Sequence, residues 1–328
     1  MIKRRQCIAL LGGAAAWPLA ARAQQEQMRR IGVLSGFPQT DSVGQSLLTA
    51  FRQRLTALGW IEGSNVDIQT RWAGSDSERM RAQAIELVRM IPDVIVVHGS
   101  RALTAVRQET DRVPILFASV ADPVAAGYVA SLAKPGGNIT GFTIYVGLPA
   151  PKLLETLKEI APTTIRAALV ATPGYPGIAR QLQDMESVAP SLVIKPTTML
   201  IRDPAAIEPT IAAFAQEPNC GLVVTTDVFL VTHRALIIAA AARHRLPAIY
   251  QDRSFVADGG LISYGVDRAE AYRRVATYVD RIFRGAKPAE LPVQQPSKFE
   301  LVLNLKTAKT LGLTVPRTLL SFADEVIE

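Results

Sequence analysis

The sequence predicts an α/β protein of two doubly wound parallel-sheet lobes, and three observations carry that prediction. Short apolar runs alternate with helix-period segments along the whole chain. The alternation restarts after Pro149-Ala150-Pro151. The two halves also echo each other. Val94-Ile95-Val96-Val97, a helix and Arg112-Val113-Pro114-Ile115-Leu116-Phe117 parallel Leu222-Val223-Val224-Thr225, a helix and Arg245-Leu246-Pro247-Ala248-Ile249-Tyr250, with strand-to-proline offsets of 20 and 25 residues. Similar βαβ units recur in any α/β chain, so the echo alone does not establish duplication. Strands separated by helices imply parallel pairing through right-handed crossovers.

In chain order, Arg30 to Ser35 reads as a strand, and Leu47, Leu48, Phe51, Leu55 and Leu58 then share one helical face. Val66 to Trp72 is a second strand, followed by a helix carrying Met80, Ala84, Leu87, Val88 and Ile91. Asp93 to His98 is an apolar strand of the fully buried kind. A helix from about Ala102 to Thr110 and a strand opening at Val113 complete this run. In the second half Ala167 to Ala171 is a strand, and Ile178, Leu182, Met185 and Val188 lie on one helical face. Leu192 to Leu200 reads as a strand broken by Pro196. Ile207, Ile211 and Phe214 mark a helix, Gly221 to Thr225 a strand, and Leu236 to His244 another helix.

Ahead of the first strand, Lys3-Arg4-Arg5, fourteen uncharged residues from Cys7 to Ala20 and Ala21-Arg22-Ala23 have the pattern of an export signal. The uncharged run is too short for a membrane span, which needs roughly 20 apolar residues. Lys3-Arg4-Arg5-Gln6-Cys7-Ile8-Ala9 resembles the twin-arginine signature, with Cys7 where that pattern prefers phenylalanine. The general secretory route therefore stays open. The expected product is a periplasmic chain, cleaved after Ala23 and beginning at Gln24.

Composition narrows the function classes. Without the signal's Lys3, Arg4, Arg5 and Arg22, the 36 basic residues become 32 against 29 acidic ones, a net +3 in place of +7. No basic stripe suits nucleic acid. Only Cys220 remains, so neither an intramolecular disulfide nor a thiolate metal cluster is expected. HExxH, GxSxG and GxxxxGK motifs are absent, and with them any motif support for a metal, cofactor or enzyme. Lys134-Pro135-Gly136-Gly137-Asn138 lacks phosphate-loop spacing and reads as a turn. His98 ends an apolar strand as a packed or hinge residue, while His233 and His244 read as surface positions.

Ligands of open parallel sheets sit beyond the carboxyl ends of the strands. Those ends collect Ser35 and Gly36, Ser100 and Arg101, Ser119 with Asp122, Gly174 and Tyr175, Thr226 and Asp227, Tyr250 with Asp252, and Tyr264. The set suits a small polar ligand with an amine and a flat ring. Asp122 or Asp227 can pair with an ammonium, while Ser35, Ser100 and helix-start N–H groups can hold a carboxylate. Plainer readings stand beside these. Asp122 before Pro123 fits a turn or N-cap equally well. Tyr175 between Gly174 and Pro176 also fits an exposed loop, and Arg101 a solvated side chain.

Further segments carry a family resemblance: Ile31-Gly32-Val33-Leu34-Ser35, Asp122-Pro123-Val124 with Lys134 to Gly141, and Gly259-Gly260-Leu261-Ile262-Ser263-Tyr264-Gly265. Gly285-Ala286-Lys287-Pro288, Leu291-Pro292-Val293-Gln294 and Phe299 to Lys309 extend it. With the export signal, this ordered set resembles the tryptophan/tyrosine-type family of ABC-importer solute-binding proteins over essentially the whole chain. The resemblance implies a class I periplasmic-binding-protein-like fold, with two lobes joined by a three-strand hinge. Crossings are then expected near Phe142 to Gly147, Ser263 to Asp267 and Pro296 to Leu301. Lobe 1 would comprise 29–143 and 267–295, lobe 2 144–266 and 296–328, with the helix from Asp267 to Arg284 returning to lobe 1.

The family's site positions fall on Ser35, Ser100, Asp122, Tyr175 and Asp227. Arg101 departs from the small or proline residue expected there, which implies a different ligand from better-known members. The resemblance further implies a small-molecule ligand, a membrane permease with its ATPase as partners, a monomeric shuttle, and no catalysis. A ligand-sensing accessory to a membrane receptor and an exported α/β hydrolase are the alternatives.

Overall fold

The computed structural model describes residues 28–145, 150–296 and 298–328. The export signal, its cleavage point and residues 146 and 147 of the first expected crossing lie outside the described residues.

Eight elements form the first layer set: β1 (Arg29–Ser35), α1 (Ser42–Ala57), β2 (Val66–Trp72), α2 (Ser77–Arg89), β3 (Val94–His98), α3 (Ser100–Glu109), β4 (Ile115–Ala121) and β5 (Ile139–Tyr145). They make a five-stranded sheet of order β2-β1-β3-β4-β5, parallel throughout. Every residue of β3 is buried, which is why it reads as an unbroken apolar run. The helix starts are chemically marked. Asp41 accepts the Gly44 N–H at 2.9 Å ahead of α1, and Asp76 accepts that of Arg79 at 3.0 Å ahead of α2. In β4 the pairing register slips on either side of Val120, and Ser119 takes a left-handed φ of 58°.

The second set runs α4 (Ala150–Ile160), β6 (Arg166–Ala171), α5 (Ile178–Leu192), β7 (Lys195–Leu200), α6 (Ile207–Phe214), β8 (Cys220–Val224), α7 (Val228–Thr232), α8 (Arg234–Arg243), β9 (Ala248–Tyr250), α9 (Arg253–Ala257) and β10 (Ile262–Val266). After α10 (Arg268–Phe283) come β11 (Phe299–Asn304), α11 (Leu305–Thr310), α12 (Arg317–Phe322) and β12 (Glu325–Ile327). The seven strands are ordered β12-β11-β10-β9-β8-β6-β7. Pro196 does not break β7. The strand is an edge, where a missing N–H costs no ladder bond.

One pair departs from parallel: β10 and β11 run antiparallel. Between them the chain leaves for the first lobe and comes back, so the outgoing and returning segments lie side by side in opposite directions. Helix α10 makes that excursion, packing on α1 and on β3, β4 and β5. The segment before β11 then adds to the edge of β5, where the Gln294 N–H donates to the Gly141 carbonyl at 2.9 Å. Ala121, Ile144, Val266 and Phe299 form a small apolar cluster where these connections meet.

Candidate functional site

The carboxyl ends of β3 and β4 face those of β6 and β8 across a cleft, the position in which open parallel sheets bind ligands. The cleft encloses a cavity of about 150 Å³. Lobe 1 contributes the turn after β3. Gly99 holds φ at 83° and offers no capping side chain, so the first N–H groups of α3 carry no side-chain cap where Gly99, Ser100 and Arg101 line the cavity. Gly36 lies opposite the start of α7, and the Val228 methyls sit where the lobes touch, 3.5 Å from the Cβ positions of Gly36 and Gly99.

Lobe 2 contributes Tyr175, Thr226 and Asp227. Asp227 is buried, and its Oδ1 accepts the Phe229 N–H at 2.8 Å as the cap of α7. Its Oδ2 accepts the Thr172 hydroxyl at 2.6 Å. The Tyr175 hydroxyl lies 3.4 Å from Thr226 Oγ1. Burial pushes the Tyr175 phenol up to about 12, so it stays protonated and keeps a hydrogen to donate.

Eight of the thirteen strand-end residues singled out from the sequence meet on this wall: Gly36, Ser100, Arg101, Ser119, Gly174, Tyr175, Thr226 and Asp227. Arg101 reaches over the cleft, donating from Nη2 to Thr172 Oγ1 at 3.2 Å. The other five lie elsewhere, Asp252 among them in a buried ion pair with Arg268. Ser35 is buried behind the wall, its hydroxyl accepting the Phe37 N–H at 3.2 Å. Asp122 takes the turn reading: its Oδ1 accepts the Ala125 N–H at 3.0 Å and its φ is 36°. Tyr250 is a core residue stacked on Phe255 at 4.5 Å, and burial raises its phenol pKa. Tyr264 lies in the crossing strand β10, stacked on Phe299 at 5.6 Å.

Several wall residues carried no signal strong enough to single them out. Tyr128 lies in an irregular segment; its hydroxyl sits 2.7 Å from Thr104 Oγ1. Thr172, which anchors Asp227 from behind the wall, immediately follows β6, where the strand-end rule reaches it. His98, read as a packed residue, is buried and also borders the cavity. Its Nδ1 lies 2.9 Å from the Tyr272 hydroxyl. Burial, reinforced by the Arg268 charge, lowers its pKa to about 3, so the imidazole is neutral near pH 7. Among the described wall residues, Asp227 is the one carboxylate and Arg101 the one guanidinium. No group of three or more His, Cys, Asp or Glu among the described residues could hold a metal ion.

Among the described residues, two ion pairs join the lobes outside the cavity. Arg234 on lobe 2 reaches Asp41 at 3.3 Å and Ser42 at 3.2 Å. Arg268, at the start of α10, pairs with Asp252 behind β9, both side chains almost fully buried.

Two lobes of βα layers and a cavity between their strand ends, lined by apolar surface with a few polar groups, define a bilobal substrate-binding protein. The sequence matches the family of ABC transporter substrate binding proteins over residues 41–327, and the chain belongs to that family. Among curated proteins it is similar to a tyrosine-binding protein of Clostridioides difficile, 22% identical over 294 residues, covering 89% of this chain and 83% of the relative. Among solved structures it superposes on an ABC domain from Streptococcus pneumoniae in complex with L-Trp, with TM-score 0.84, 23% identity and 91% and 99% of the two chains covered. A conserved domain protein from Vibrio cholerae gives 0.85 at 25% identity, with 92% and 100% covered. The ligand-free, open structure of a substrate binding protein with adhesive properties from Clostridium difficile gives 0.67 at 23% identity, with 91% and 99% covered.

Proposed function

We propose that this protein is the extracytoplasmic solute-binding component of an ABC importer, and that its cleft takes an aromatic amino acid or a closely related carboxylate. The observation that carries the reading is the cavity's polarity. The uncapped start of α3 supplies hydrogen-bond donors on one lobe and Asp227 supplies a carboxylate on the other, with Tyr128 and Tyr175 lining the same cavity. Helix-start N–H groups favour a carboxylate. The two phenol rings suit a flat ligand body. The tyrosine- and tryptophan-binding relatives support the same ligand class. Of the sequence-derived residues, Gly36, Ser100, Arg101, Tyr175, Thr226 and Asp227 are retained as the contact set.

In this reading the mature chain starts at Gln24, is periplasmic, and works as a monomer that performs no chemistry on its cargo. Its lobes are 29–143 with 267–295 and 144–266 with 296–328, a division that sheet membership supports except that β5 of the first sheet runs on to Tyr145. Contacts from both lobes exist only in the closed form, so ligand binding shifts the population toward it. About 5.5 kcal/mol of differential affinity takes a 1:99 equilibrium to 99:1. The permease recognises the closed shape, and its ATPase drives release.

The test is a thermal-shift and calorimetric screen of the mature chain against amino acids, aromatic acids and nucleosides. Aromatic amino acids or their carboxylate analogues raise the melting temperature in a concentration-dependent way. Asp227→Ala weakens the bound compound at least tenfold while the protein stays folded. Binding confined to nucleosides, or no shift anywhere in the panel, overturns the aromatic assignment. An unchanged Kd removes Asp227 from the site.

A further inference from the structure

Arg101 projects from the first turn of α3, the same turn whose N–H groups carry no side-chain cap beside the cavity. Its guanidinium crosses to lobe 2 and donates to Thr172 Oγ1. A carboxylate can only accept, so the 2.6 Å contact commits the Thr172 proton to Asp227 Oδ2. The threonine lone pairs then receive Arg101. The result is a polarised relay across the cleft, with a cation at one end, an anion at the other and a single hydroxyl between them. Asp227 Oδ1 is meanwhile occupied by the Phe229 N–H.

A free amino acid brings an ammonium as well as a carboxylate. Its ammonium would have to approach Asp227, the one carboxylate on the described wall, whose charge Arg101 already answers. It would also stand close to the like charge of Arg101, which repels it. A carboxylate at the start of α3 meets the opposite field: open N–H groups and a guanidinium rooted in the same turn.

We propose that Arg101 sets the ligand class of this cleft, selecting a flat organic anion that carries a carboxylate and no ammonium, such as an aromatic 2-hydroxy acid, over the zwitterionic amino acid with the same ring. The inference rests on the solute-binding reading above and narrows it. Arg101 supplies internally the positive charge that an amino-acid ligand would bring.

Isothermal titration on matched pairs tests it: L-tryptophan against indole-3-lactate, and L-tyrosine against 4-hydroxyphenyllactate. Wild-type protein binds the hydroxy acid of at least one pair tenfold or more tighter than its amino acid. Arg101→Ala brings that ratio to one or inverts it, while Arg101→Lys, which keeps the charge, retains the preference. Because the Arg101 side chain is exposed, both variants remain folded, as circular dichroism checks.

Tighter wild-type binding of the amino acid overturns the proposal and leaves the aromatic solute-binding function intact. An Arg101→Ala variant that weakens both members by the same factor also overturns it, because a residue that only clamps the lobes acts without regard to ligand charge. If wild type binds neither member of either pair, the proposal falls. The wider panel then shows whether the aromatic assignment falls with it.

Discussion

His98 joins two roles that a sequence reading separates, since one imidazole both fills the core and borders the cavity. Its proton affinity makes it a source of acid sensitivity. The unfolded chain binds a proton with the ordinary pKa of 6.5, and the folded chain only at about 3. Between those values the unfolded state holds the extra proton, so stability is full above 6.5 and is lost as pH falls toward 3. By pH 5 this one group costs about 2 kcal/mol relative to its contribution at high pH. Urea unfolding across that range is expected to give a falling unfolding free energy for wild type and a flatter profile for His98→Gln. Equal slopes would remove His98 as the source. Residue-scale legibility had a clear limit in the same strand layer. Asp122 and Ser119 both stand near the end of β4, and only the register slip and the left-handed φ of Ser119 put Ser119 on the wall and Asp122 in a turn.

Elements were the most legible scale, because their signals are local. The β3 run, the alternation from Val66 to Trp72 and the amphipathic face of α1 each become the element their period predicts. Pro196 shows where local reasoning stops, since whether a proline breaks a strand depends on which neighbour the strand has. Gly265 in β10 makes the same point for close approach. A Cβ there would meet the Gln251 carbonyl oxygen at 2.1 Å, a backbone atom that cannot rotate away. Gly265→Ala is expected to lower the unfolding free energy by roughly 1–3 kcal/mol, the usual cost of overpacking. Chemical denaturation reads it directly, and an unchanged midpoint would mean that β9 and β10 separate easily.

For the whole molecule, the question is what holds the lobes at their present separation. Arg234 and Asp41 are largely buried and belong to opposite lobes, as do Arg268 and Asp252. A pair that spans the lobes and is satisfied at this separation biases the open–closed equilibrium independently of the ligand. Arg234→Ala strands Asp41 without its cross-lobe partner, though Asp41 still caps α1. The expected outcome is a larger radius of gyration for the ligand-free protein in small-angle scattering, with ligand affinity weakened several-fold. A radius and Kd both equal to wild type would show that the closed separation is set elsewhere.

The sequence by itself determined the alternating layers, the two-lobe plan and the family, because hydrophobic period, turn residues and motif order are written along the chain. It also brought the strand ends into view, and with them Ser100, Arg101, Tyr175 and Asp227. Only the tertiary structure decided that Tyr250 and Tyr264 pack into the protein, that Thr172 joins Arg101 to Asp227, and that α10 seats Arg268 against Asp252. Alternation in a strand says that two faces exist. Which face is covered, and which distant residue meets it, follows from how separate segments pack in space.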